Sequence, residues 1–445
     1  MKLFNSLTSK LEDFKPIHEG EVSMYVCGPT VYNYPHIGNA RPIIVFDTFK
    51  KMFEASGYKV KYVSNYTDVD DKIINKAKEE GVSEKVISER YIEAYNEDRR
   101  RLHADLPDVA PRVTQTMEEI IAYIEDLVEK GFAYEIEGDV YFRVSKVEDY
   151  GKLSNQKVDD LLVGARIDEN SKKENPLDFT LWKKTEEGIK WDSKWSKGRP
   201  GWHTECVVMI QNEFKMDRID IHGGGLDLKF PHHENEMAQC SAHNHTHLAN
   251  YWLHNGMVNI DGEKMSKSLG NVIWVKDIID ELGENNVRWM MLSTHYRAPL
   301  NLNDETIATT KSELEKVSKP LAQSYVKMEL ANYTLNDAQY DSSLYQDFLS
   351  ALQDDLNTPN AFKVLFEATK KLNAALRVRD IDFASLNEIV IAIEKMLHIL
   401  GINLNRVQLE AKDKACFQEW KEAVKAKDFE KADAYRKVLQ ERGLL

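Results

Sequence analysis

The chain has 445 residues, enough for two or three domains and a sizeable core, and its 42% hydrophobic and 30% charged content is an ordinary soluble-globular balance. It holds no apolar run long enough to cross a bilayer, and the N-terminus, MKLFNSLTSKLEDFKP, has no apolar export segment. The cytoplasm is therefore the expected location. The formal net charge of −14 excludes a globally basic nucleic-acid binder but leaves room for a local basic stripe, because phosphates respond to charge within a Debye length.

VSMYVCGPTVY reads as a strand running into a turn, followed by a helix from about Arg41 to Ser56. YKVKYVSNYTDVDD gives a second strand ending in acids, and Lys72–Glu80 starts another helix. Strand and helix in alternation predict a parallel sheet with right-handed crossovers, whose ligands sit at the carboxyl ends of the strands. Cys27, the PHIGN turn and Thr67–Asp68 fall at those ends. From Arg112 to about Lys197 the pattern changes to a helix (Thr116–Lys130), strand patches such as AYEIEGDVYFRV and a polar stretch, Asp168–Pro176, which predicts an insertion. Strand alternation returns near Phe179–Trp182, GRPGWHTECVVMIQNEF restarts a helix, and DRIDIHGGG is a strand ending in a glycine-rich loop. After Leu300 the pattern is helical over 311–330, 343–353, 358–378, 384–400 and 412–443. Arg99–Arg101 and Lys311 with Lys316 and Lys319 are candidate basic stripes, although each also fits a solvated helix face. The four cysteines do not make a disulfide framework. Cys240 and Cys416 lie in helical patterns and are expected to be buried thiols.

PHIGN (Pro35–Asn39) and KMSKS (Lys264–Ser268) are suited to holding a nucleotide triphosphate from two sides. His36 can donate to phosphate oxygens, Gly38 allows close backbone approach, and the following helix N-terminus favours anions. Lys264 and Lys267 are mobile cations on a loop that can close over β- and γ-phosphates. Taken singly, HIGN also fits a turn before a helix and KMSKS a solvated loop. Asp227, after a strand, is the ribose candidate. In this order, with a parallel-sheet pattern between them, the two signatures resemble the active-site pair of class I aminoacyl-tRNA synthetases.

CGPTVY (27–32), TDVDDKI (67–73), GRPGWHTEC (198–206) and GGGLDLKFPHHENE (223–236) sharpen that likeness toward the cysteinyl-tRNA synthetases, over about Tyr25–Asn271. The resemblance implies ATP-dependent activation of L-cysteine to cysteinyl-adenylate and transfer to tRNA-Cys, with Mg2+ accompanying ATP. It makes His36, Asn39, Lys264 and Lys267 the catalytic candidates, and Gly38, Asp227, Thr67 and Trp202 the binding candidates. Thr67 and Trp202 match positions around the substrate's amino group and side chain, and Trp202 also fits a core role.

His232 and Glu236, spaced i, i+4, share a helical face, and two thiols could join them. Spacing alone favours buried thiols plus a charged helix face. The family resemblance implies one Zn2+ held by Cys27, Cys206, His232 and Glu236, with His233 one residue off that face and not expected to ligate. His203 and His222 are minor candidates for polarising the pocket. Cavity size alone separates cysteine from serine by only ~1–3 kcal/mol, whereas a soft thiolate ligand is preferred by zinc over a hydroxyl. No editing domain is then needed. KIINK (Lys72–Lys76) resembles a lysine pair linked in some relatives to pyridoxal phosphate, but two lysines on a solvated face is the favoured reading.

The expected fold class is α/β: a Rossmann-like parallel-sheet catalytic domain with an inserted connective domain, then an all-helical C-terminal tRNA-binding region. The boundaries are 1–112 and 198–255 for the two catalytic halves, 113–197 for the insertion and 256–310 for a stem-contact region carrying KMSKS. A helical bundle (311–405) and a shortened C-terminal segment (406–445) follow. QDDLNTPNAF (353–362) and KDFEKADAYRKVLQERGLL (427–445) resemble the family's helical motifs. Relatives continue into a tryptophan-bearing segment, so stem contacts are expected to outweigh anticodon reading here, and a monomer is expected. A related ligase joining cysteine to an amino-sugar shares the pocket but lacks most C-terminal helices. A non-enzymatic nucleotide- or tRNA-binding module would leave His36, Asn39, Lys264 and Lys267 unexplained.

Overall fold

In the computed structural model, which describes residues 1–157, 172–265 and 270–445, the centre is a four-stranded parallel sheet. Its order is Ala249–Asn255, Ile219–Gly225, Glu21–Val26, Lys59–Val63. The register aligns Ile221 with Met24 and Tyr251, and Met24 with Tyr62, so the carboxyl ends finish together. Period-two alternation explains the two faces. Val22, Met24 and Val26 pack against Phe46 and Phe49 of the helix Ile37–Ala55, whereas Tyr25 faces the layer holding Met209 and Cys240.

The insertion is a five-stranded antiparallel sheet, with strands at 133–136, 139–142, 179–184, 197–200 and 191–192 in spatial order. The part of Asp168–Pro176 up to residue 171 lies outside the described residues. The helices after Leu300 span Asp304–Leu330, Ser342–Leu352, Thr358–Arg377 and Phe383–Leu400. The expected helix 412–443 is two helices, Ala411–Ala426 and Phe429–Glu441. Lys427 adopts a left-handed conformation (φ +59°) that ends the first, and the Asp428 side chain accepts the Lys431 N–H to start the second. Among the described residues no helix is long and apolar enough to cross a membrane.

One buried ion pair ties the sheet to the helical region. Arg288, fully buried, donates to Asp47 of the helix Ile37–Ala55, to the Leu102 carbonyl (2.8 Å) and to the Leu400 carbonyl. Burial would raise the Asp47 carboxyl, but Arg288 and Lys51 hold it below its ordinary value. Asp47 therefore contributes stability that is present above the unfolded carboxyl's pKa of about 3.9 and lost as pH falls. Removing Arg288 leaves a buried carboxylate with only Lys51 (2.8 Å) as charged partner. Arg288→Met is expected to lower unfolding free energy by about 3–5 kcal/mol in a urea titration at neutral pH, and by less in acid. Arg288→Lys should not restore it, because one ammonium cannot reach three acceptors.

Candidate active site and metal cluster

The PHIGN segment is hydrogen-bonded to the stretch that follows KMSKS. Ile37 N–H donates to the Ile273 carbonyl (2.8 Å) and Val275 N–H to the Pro35 carbonyl (2.9 Å), a bridge centred on His36 and Trp274. The helix begins at Ile37, not near Arg41 as its apolar stretch suggests, so Ile37–Asn39 form its first turn with an extended His36 as N-cap. The Asn39 side chain accepts the His36 backbone N–H at 3.0 Å. Pro42 lacks an N–H to place in the ladder, which masked the helix start in the sequence.

His36, Gly38 and Asn39 line a cavity of about 420 Å³ at the carboxyl end of the sheet, together with Cys27, Asp227 and Trp202. Met265, inside KMSKS, reaches the same cavity. Lys267 and the side chain of Lys264 lie outside the described residues. Asp227 sits in a short turn, Leu226–Leu228, directly after its strand. Trp202 is 41% exposed and stacks on the His232 ring with centroids 4.2 Å apart. Thr67 is buried behind the wall and donates to Glu205 at 3.2 Å; it is not among the cavity-lining residues.

Cys27 joins this cavity to a buried cluster. Its Sγ lies 3.6 Å from Cys206 Sγ and 3.5 Å from Glu236 Oε1. Cys206 Sγ is 3.7 Å from His232 Nε2, which is 2.7 Å from Glu236 Oε1. A tetrahedral ion such as zinc, with bonds of about 2.3 Å to sulfur and about 2.0–2.1 Å to nitrogen or oxygen, needs ligand atoms roughly 3.3–3.8 Å apart. Of a tetrahedron's six edges, three of these four match, and the His232–Glu236 edge is drawn in by its direct hydrogen bond. The four residues therefore fit a metal.

Charge within the cluster supports the same chemistry. Burial would raise Glu236, but His232 and His222 hold it well below the usual carboxylate range. Burial would lower His232, but Glu236 and Cys206 push it up to about 10. The hydrogen bond from Cys27 lowers the Cys206 thiol to about 6, while burial raises Cys27. A cation would take the place of the protons now on Cys27 and His232.

Helical-wheel reasoning set His233 aside, yet its Nε2 lies 3.3 Å from Cys27 Sγ. His233 is itself helical (φ −68°, ψ −33°), and the contact arises because Cys27 arrives from a strand end, which a wheel drawn on one helix does not show. With His222, 2.5 Å from Glu236 Oε2, His233 makes a second potential ligand set sharing Cys27 and Glu236. His233 is held by His254 (2.8 Å), which in turn meets Ser6 Oγ (2.8 Å). His203 is 3.1 Å from His232, nitrogen to nitrogen, and burial lowers it to about 3. The only sequence signal for His222 was its place at a strand's carboxyl end.

Two expectations need correction. Arg99–Arg101 is not a free basic stripe: Arg99 is buried, Arg100 pairs with Glu93 and Glu97, and Arg101 pairs with Asp280. Cys416 is only half-buried, at the edge of a small cluster that holds Val326, Phe417 and Leu439, whereas Cys240 is buried as expected.

The profile described as "tRNA synthetases class I (C) catalytic domain" matches residues 13–312, and that of the DALR domain matches 347–405. The cysteine–tRNA ligase of Anoxybacillus flavithermus is 47% identical over 451 residues, covering all of this chain and 97% of that one. That of Brevibacillus brevis is 44% identical over 454 residues, with the same coverage. The chain belongs to the cysteine–tRNA ligase family. Folds outside this family agree. Mycobacterium tuberculosis methionyl-tRNA synthetase in complex with methionyl-adenylate superposes with TM-score 0.63 at 14% identity, over 85% of this chain and 89% of that one. Thermus thermophilus arginyl-tRNA synthetase gives 0.59 at 11%, over 91% and 85%. This likeness shows the class I fold that family members share.

Close packing at two glycines of this family member makes opposite predictions. A Cβ on Gly28 would lie 1.6 Å from the Asn65 carbonyl oxygen, so Gly28→Ala must push two strand ends apart. We expect a loss of about 3 kcal/mol in denaturant unfolding. A Cβ on Gly38 would meet the His36 ring at 3.1 Å and the mobile end of Met265 at 3.3 Å. Gly38→Ala should change stability by less than about 1 kcal/mol, with helix propensity offsetting the contact.

Proposed function

We propose that the chain is a cysteine–tRNA ligase: it activates L-cysteine with ATP to cysteinyl-adenylate and pyrophosphate, then transfers the cysteinyl group to the 3′ end of tRNA-Cys, releasing AMP. The observation that carries this reading is Cys27, which lines the cavity shared by the two nucleotide-binding signatures and also belongs to the two-thiol cluster. A carboxylate held at the cavity attacks the α-phosphorus, and pyrophosphate leaves. His36 and the N–H groups of the helix's first turn stabilise charge on the phosphate oxygens. Asn39 holds His36 in place through its backbone. Lys264 and Lys267 neutralise the departing pyrophosphate, Gly38 admits the phosphate chain and Asp227 accepts from ribose hydroxyls. Trp202 flanks the substrate side chain, and Thr67 acts from behind the wall through Glu205. No side-chain nucleophile is required, since positioning and charge stabilisation carry both steps.

Cys27, Cys206, His232 and Glu236 would hold one Zn2+. That ion would supply a soft acceptor for the substrate thiolate that discriminates against serine. Mg2+ would accompany ATP. Lys76 is paired with Glu80, a contact that disfavours a pyridoxal phosphate role for the lysine pair. We read 1–112 and 198–255 as the catalytic halves, 113–197 as the connective insertion, 256–310 as the stem-contact region, and 311–405 and 406–445 as tRNA-contacting helices of a cytoplasmic monomer. The DALR match and the helices from Asp304 onward favour tRNA over an amino-sugar as acceptor.

Cysteine-dependent ATP–pyrophosphate exchange, with serine as competitor, followed by charging of tRNA bearing a cysteine anticodon, tests the reading. Exchange with charging is expected; exchange without charging would favour the amino-sugar ligase, and no exchange in zinc-loaded protein would sink the assignment. Independently of activity, stoichiometric Zn2+ added to chelator-treated protein should protect two thiols, Cys27 and Cys206, from a thiol reagent. Protection should vanish in Glu236→Ala. Protection of none, or of Cys416 and Cys240 instead, would remove the metal from the proposal.

A further inference from the structure

The connection between the strand Glu21–Val26 and the helix Ile37–Ala55 carries two tyrosines that line the cavity beside His36, and each is met by a lysine from a different helix. Lys72 Nζ, on Asp71–Glu80, stands 5.2 Å from the Tyr32 ring centroid. Lys276 Nζ, on Val275–Leu282, stands 3.9 Å from that of Tyr34. The Tyr34 ring is braced edge-on by Tyr91 (centroids 5.3 Å, 85°) and still 36% exposed. Among the described residues neither ammonium has an ion-pair partner. Of the acids near Lys72 in sequence, Asp71 pairs with Arg199 and Lys183, Glu80 pairs with Lys76 and Arg90, and Asp70 caps the helix by accepting the Lys72 backbone N–H at 2.8 Å.

Two cations without ion pairs, Lys72 lining the cavity and Lys276 over a ring that lines it, stand out in a chain of net charge −14. An aromatic face beside an ammonium matches the repeating unit of a single-stranded nucleic acid, in which a base stacks and the adjoining phosphate takes the cation. Because the two pairs flank the cavity that holds the reacting groups, the strand that fits them must present its end there. We propose that Tyr32 with Lys72 and Tyr34 with Lys276 form a two-step platform for the unpaired 3′ nucleotides of the tRNA, placing the terminal ribose hydroxyl at the adenylate. This rests on the cysteine–tRNA ligase reading and adds the residues that position its second substrate. These are positioning residues, with no part in activation.

The test compares binding of tRNA with a cysteine anticodon, full-length and lacking its unpaired 3′ nucleotides, by fluorescence anisotropy to the whole chain. The wild type should bind the truncated tRNA about a hundredfold more weakly, the scale of two stacked bases. The double variant Tyr34→Ala, Lys276→Met removes one step, so it should bind full-length tRNA about tenfold more weakly than the wild type and the truncated tRNA equally well. Tyr34→Phe, which keeps the ring, should behave as wild type. Cysteine-dependent ATP–pyrophosphate exchange, which needs no tRNA, should be unchanged. Should Tyr34→Ala fail to fold, Lys276→Met alone must lower the salt slope of full-length tRNA binding by about one unit and leave the truncated tRNA unaffected. Equal weakening of both tRNAs, no weakening of either, or a raised KM for ATP (the rings serving adenine) would each overturn the proposal. Exchange and tRNA binding both absent in the wild type would instead bring down the ligase reading on which it stands.

Discussion

Burying an ionised carboxylate costs several kcal/mol unless it is surrounded by matching charge and donors, and Glu236 is fully buried and ionised. Its two oxygens are taken by different imidazoles, Oε1 by His232 and Oε2 by His222, and Cys27 also reaches Oε1. One charge therefore fixes three side chains from three elements: the end of one strand, the middle of a second and the segment leading into a helix. His203, Trp202 and His254 are arranged around those rings in turn. The cluster's geometry follows from satisfying Glu236, and its capacity for a cation follows from the two thiols left at its open side.

The nucleotide side of the cleft is built on a different force. Backbone hydrogen bonds join Pro35 and Ile37 to Val275 and Ile273, so the loop before the first helix and the segment after KMSKS share a short antiparallel bridge. The alignment of strand ends places Cys27, Gly28 and Gly225 at one level, and the bridge closes the remaining side. Neither part defines the cavity alone.

Much of this was legible in the sequence, and the reasons are specific. Alternation in EVSMYV and IDIHGGG gave the strands, and the parallel order followed from the intervening helices. Asp227 and Cys27 could be placed at strand ends by counting. The helix start at Ile37 was hidden because Pro42 imitates a boundary, and the split at Lys427 was hidden because nothing but a lysine marks the left-handed residue. The approach of His233 to Cys27 was not legible, because a wheel drawn on one helix says nothing of a strand end arriving from elsewhere in the chain. The burial of Arg99 was not legible either: a run of three arginines looks solvated until packing against Tyr62 turns one inward. Periodicity reports the average environment of an element, whereas these exceptions depend on contacts far away in the chain.

Gly401 ends the helix Phe383–Leu400 in a left-handed conformation (φ +68°), and a Cβ there would lie 2.1 Å from the Arg288 guanidinium. The glycine thus both stops a helix and leaves a channel through which the arginine reaches Asp47, on the helix that begins with the PHIGN residues. The part of the chain that performs chemistry and the part that folds as a unit are consequently not the same. A fragment cut after the catalytic match, near residue 312, would carry the cavity, Asp47 and Arg288, yet it would strip the buried guanidinium of the Leu400 carbonyl. The helical region is constrained by that guanidinium even where it touches no substrate.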